Sequence, residues 1–100
     1  MIQERETLIK MLGHLLTEMQ IVTAQGAGYF TCSPFASRYN KLLGEAQRLQ
    51  GNTGIMGTFA TLNTTDPNDP ADKFKVLLEI RIEIGQLIAV LQDADPGVGA

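Results

Sequence analysis

The sequence predicts an all-α fold, a small bundle of three main helices over about 2–25, 34–50 and 70–93 with an irregular 51–69 connector, completed by dimerisation. Three observations predict it. Apolar residues recur at intervals of three and four in three separate stretches, the spacing that gathers side chains on one helical face. Ser33-Pro34 and Asp69-Pro70 each set a capping residue before a proline, a pairing favoured at helix starts. Gly26, Gly28 and Gly51 stand where the first two stretches end, and glycine accepts the left-handed backbone of a C-terminal cap.

In the first helix, Leu8, Leu12, Leu15, Met19 and Val22 form the inner stripe, widened by Ile9 and Leu16 on one side and by Met11 on the other. Glu6, Lys10, Thr17 and Gln20 take the opposite face. An aromatic connector, Tyr29-Phe30-Thr31-Cys32, leads into the second helix, whose apolar set is Phe35, Tyr39, Leu42, Leu43, Ala46 and Leu49. Gly51, Gly54 and Gly57 then interrupt a segment that still carries Ile55, Met56, Phe59 and Leu62. A structureless loop of that length is uncommon in a compact domain. Residues 53–62 are therefore expected to lay their apolar side chains on the core, as a short helix or an extended piece.

The third helix has Phe74, Leu77, Ile80, Ile84, Leu87, Ile88 and Leu91 as its main stripe, and residues 95–100 are expected to fray. Residues 75–84 also alternate apolar and charged side chains as a half-buried strand does. A strand needs a partner, however, and only the glycine-broken stretch Ile55 to Leu62 could supply one. An unbroken run of two dozen residues fits a helix better. That helix is apolar on too many sides: eleven of the eighteen residues from Phe74 to Leu91 are large and apolar, a pattern suited to an interior. Leu78, Ile82 and Ala89 lie off the main stripe and need another cover. A second copy of the chain, pairing the first and third helices of each into a four-helix core, is the favoured one. The segment 52–62 folding back in a monomer is the other.

Length and composition bound the function. One hundred residues make a single helical domain, 1–100, and 44% hydrophobic with 19% charged residues suits a folded chain. Eight Lys and Arg against eleven Asp and Glu leave a net charge of -3, which argues against nucleic acid as a partner. No apolar run is long enough for a membrane span. The single cysteine gives no basis for an intrachain disulfide or an oxidising compartment. The chain is expected to be soluble and cytoplasmic.

Candidate chemical groups are few. Cys32 precedes a helix start, where the backbone can activate a thiol, but the only histidine, His14, is on another helix, and a lone cysteine is most often a small buried hydrophobe. His14 and Glu18 are one turn apart, two groups where a metal needs about three, so no metal and no cofactor is expected. Gly51, Gly54 and Gly57 lack the strand and lysine of a phosphate loop, and Asp66, Asn68 and Asp72 lack the glycine and distal glutamate of a calcium loop. Arg38, Lys41, Glu45 and Arg48 line one side of the second helix, with Asn40 among them. Together with Tyr29, Cys32 and Tyr39 these basic residues are the best candidate for an anionic or small-molecule ligand. No catalytic set is visible. The function expected is that of a non-catalytic, self-associating helical protein with a protein partner, a small adaptor, regulator or assembly component. The alternative is a small-molecule or anion-binding protein that uses the aromatic connector and the basic stripe.

Overall fold

In the computed structural model, which describes residues 4–25, 32–51 and 53–93, the chain forms three helices: α1 (Glu4–Gln25), α2 (Ser33–Gln50) and α3 (Pro70–Asp93). A single 3₁₀ turn, Met56–Thr58, interrupts the connector, and among the described residues there is no strand. Residues 75–84 are therefore helical. Tyr29, the rest of the aromatic connector before Cys32, and the 95–100 tail lie outside the described residues.

The buried side chains are those that helical spacing selects. Leu8, Leu12, Leu15 and Met19 of α1 meet Ala36, Tyr39, Leu42, Leu43 and Ala46 of α2 and Leu77, Ile80, Ile84, Leu87 and Leu91 of α3. Burial of a set this size is the main stabilising contribution, about 1.5–3 kcal/mol for each large apolar side chain before entropy is counted. Phe74 departs from expectation. It is 49% exposed, because its position lies about 100° round the helix from the middle of the buried stripe.

α1 packs against both α2 and α3, which touch each other less. Polar contacts at the ends fix the directions. Arg48, late in α2, pairs with Glu4 at the start of α1 at 2.7 Å, and Arg5 of α1 donates to the carbonyl of Leu91, late in α3, at 3.0 Å. Both α2 and α3 therefore run antiparallel to α1 and parallel to each other. Parallel neighbours need a connection that travels back a full helix length, and residues 51–69 make that return.

The return stroke is laid along α2 as a strap. Gln47 donates its amide to the carbonyls of Met56, at 3.3 Å, and Phe59, at 3.1 Å. Asn40 accepts from the Leu62 N–H at 2.8 Å and donates to the Leu62 carbonyl at 2.9 Å. Asp66 accepts the backbone N–H groups of Cys32, at 2.5 Å, and Ser33, at 3.4 Å. The strap's backbone, which has no ladder of its own, thus finds partners on the helix beside it. Met56 is buried, and Phe59 and Leu62 pack on the core, as expected for 53–62.

The start of α2 differs from the expected Ser33 cap. The helix begins one residue earlier, with Cys32 as N-cap and no side-chain cap of its own. Asp66, far along the chain, takes that role, and its carboxylate suits the positive end of a helix. α3 keeps its expected start: the Asp69 carboxylate accepts the Ala71 N–H at 2.9 Å.

Candidate interaction surface

The expected ligand residues divide between the inside and the outside of α2. Tyr39 and Cys32 face the core and are buried, whereas Arg38, Lys41 and Arg48 are exposed. Among the described residues they thus lie on two different faces of the helix. Arg48 is held between Glu4 and Glu45, at 2.7 and 2.9 Å, so its charge is matched within the chain. The hydrogen bonds that its guanidinium donates to these two carboxylates raise its pKa. Asn40 is occupied by the strap.

Cys32 is not an activated thiol. Burial, then the nearby charge of Asp66, pushes its pKa up, and its sulfur lies 3.5 Å from the Lys73 carbonyl. Position before a helix start would favour a thiolate, but burial overrides it. Tyr39 behaves alike: burial, then the Glu83 carboxylate, raises its hydroxyl well above the ordinary tyrosine value. That hydroxyl is buried beside the Glu83 carboxylate, outside strict hydrogen-bond geometry.

Two surface features remain. Between α1 and α2 runs a shallow trough, a hollow of about 280 Å³ lined by Met11, His14, Leu15, Glu18, Arg38 and Leu42. Met11 and Leu42 also border the hollow of about 210 Å³ that follows it towards Glu4 and Glu45. His14 and Glu18 thus sit on a trough edge, and among the described residues no three His, Cys, Asp or Glu side chains gather as a metal site would.

The second feature is the outer side of α3. Phe74, Leu78 and Ile82 are 49%, 46% and 50% exposed, and Ala71, Gly85 and Ala89 are exposed with them. They lie on the side of the helix turned away from the buried stripe, and no charged residue falls within the line they form. The strap covers the core beside α2 and comes near the line only at Ala89, so among the described residues it leaves Phe74, Leu78 and Ile82 open. Next to Ala89 the strap and α3 enclose a hollow of about 350 Å³ lined by Ile55, Thr58, Phe59, Glu83, Gln86, Ala89 and Val90. Sequence reasoning found Leu78, Ile82 and Ala89 on this face and missed Phe74, which it assigned to the core. The missing signal was angular, since Phe74 is one turn from Leu78 but well off the line through Leu77 and Ile84. None of the described helices is long and apolar enough to cross a membrane. No family model, no curated protein and no solved structure matches the chain.

Proposed function

We propose that the chain is a non-catalytic helical protein that self-associates as a homodimer and acts through protein–protein contacts, as a small adaptor, regulator or assembly component of the cytoplasm. The observation behind this is the line of Phe74, Leu78 and Ile82, each about half exposed on the side of α3 turned away from the core. Contiguous apolar surface of this kind marks an interaction site more often than scattered exposed residues do. A lone, buried, unactivated cysteine is consistent with a reducing compartment. A small-molecule or anion site on the basic stripe has less support, because Tyr39 and Cys32 are buried and Arg48 is already paired. The test is sedimentation equilibrium of the unsubstituted chain and of Ile82→Glu. The unsubstituted chain sediments as a dimer at low micromolar concentration, and Ile82→Glu as a monomer with unchanged helical circular dichroism. A monomer throughout for the unsubstituted chain sinks the proposal, and a dimeric Ile82→Glu moves the interface elsewhere.

A further inference from the structure

Given the self-association proposed above, on which this inference rests, the order of side-chain sizes along α3 specifies how two copies meet. We infer that they pair antiparallel about a twofold axis between Arg81 and Ile82, with Phe74 of each copy packed on Ala89 of the partner subunit.

Spacing comes first. Ala71, Phe74, Leu78, Ile82, Gly85 and Ala89 follow one another at intervals of three, four, four, three and four. That is an eleven-residue repeat, about 3.67 residues per turn, close to the natural helical period. The line therefore hardly drifts round the helix, and two nearly straight helices stay in contact along about 27 Å.

Size sets the direction. The large residues Phe74 and Leu78 precede the midpoint between Arg81 and Ile82, and the small residues Gly85 and Ala89 follow that midpoint at matching distances. An antiparallel pair sets Phe74 on Ala89 of the partner subunit and Leu78 on Gly85 of the partner subunit, filling each small position with a large side chain. A parallel pair would crowd phenyl against phenyl at one end and leave a void at the other, and both faults cost stability.

Charge agrees with size. Lys75 and Asp93 are eighteen residues apart, which is five turns, so they flank the line on the same side. Antiparallel pairing brings Lys75 of each copy within about one and a half turns of Asp93 of the partner subunit, and it opposes the two helix dipoles. Burying the line, Ile55 and the flanking residues on both copies removes on the order of 1,000 Å² from water, the lower end of what a specific dimer needs.

Disulfide cross-linking of Leu78→Cys and Gly85→Cys chains tests the pairing. Both positions are exposed, and a Cβ at Gly85 meets nothing within 4 Å in its own subunit. Native Cys32 is buried and common to all samples, and the unsubstituted chain measures its background. Mild oxidation of an equimolar mixture is expected to give covalent dimer at least tenfold faster than either variant alone. If Leu78→Cys links to itself faster than to Gly85→Cys, the pairing is parallel and the inference is wrong. No cross-link in a chain that still sediments as a dimer also overturns this pairing while self-association stands. A monomeric unsubstituted chain removes both.

Discussion

The side chain of Asn40 does for Leu62 what a neighbouring strand would do: it accepts from the Leu62 N–H and donates to the Leu62 carbonyl, at 2.8 and 2.9 Å. Asn40→Ala strands both half-buried backbone groups and is expected to cost about 1–3 kcal/mol. Urea unfolding measures the loss, and hydrogen exchange should quicken at the Leu62 amide first. A change below about 0.5 kcal/mol would mean that water replaces the amide at no cost.

Asp66 carries the start of a helix that it does not belong to. Asp66→Ala leaves the N–H groups of Cys32 and Ser33 without their carboxylate, and the expected loss is about 0.5–2 kcal/mol. Asp66→Asn keeps an acceptor and should lose less. Equal losses in the two variants would show that charge at the helix end outweighs the hydrogen bonds.

The hydroxyl of Tyr39 is buried beside the Glu83 carboxylate but outside strict hydrogen-bond geometry, so Tyr39→Phe is expected to change stability by less than about 1 kcal/mol at neutral pH. Alkaline pH separates the two proteins further. Folding raises the pKa of both Tyr39 and Cys32. Their contribution is therefore complete below the unfolded values and is lost as pH rises through the folded ones. The unsubstituted chain should lose stability above about pH 9, where unfolded thiols and phenols ionise. Tyr39→Phe should lose less between about pH 10 and 11. Parallel curves for the two would remove Tyr39 as a cause. By the same burial, native Cys32 should react with a thiol reagent far more slowly than free cysteine, and equal rates would contradict its placement.

Glycines in this chain divide by backbone conformation. Gly44 is exposed within α2, and an added Cβ meets nothing within 4 Å. Gly44→Ala should stabilise by about 0.5–1 kcal/mol. Gly51, just past the helix end, has φ 86°, where a side chain is strained, and Gly51→Ala should destabilise by about 1 kcal/mol. Thermal melts of the two should move in opposite directions.

The helices were legible because their signals are local: a period, a proline, a glycine. Leu8 to Met19 and Leu77 to Leu91 could be assigned to an interior without knowing what they touch. The same reasoning placed Leu78 and Ile82 outside that interior. The strap was legible only as a burial pattern in Met56, Phe59 and Leu62, because its partners are side chains on another element. Gln47 and Asn40 look like ordinary surface amides in the sequence. Their spacing of seven residues beside an unpaired segment is the signal that could have found them. Cys32 and Asp66 are farther apart still, and Ser33 supplied a plausible local cap that the fold does not use. On the candidate surface, sequence spacing put Arg38, Lys41 and Arg48 on one face but could not show that Glu4, at the far end of α1, would reach Arg48.

The strap also measures out the chain. Its anchors on α2 fall near Ser33, Asn40 and Gln47, two turns apart each time, so the helix serves as a ruler of about 10 Å per division. Between Phe59 and Leu62, three residues must cover one division, which nearly exhausts their reach. Four residues cover the next, from Leu62 to Asp66. A deletion in the first interval therefore detaches an anchor, whereas the second holds the little slack there is. Insertions that spare every anchor belong beyond Asp66, in the exposed turn at Asn68. Length variation among descendants of this chain should collect there.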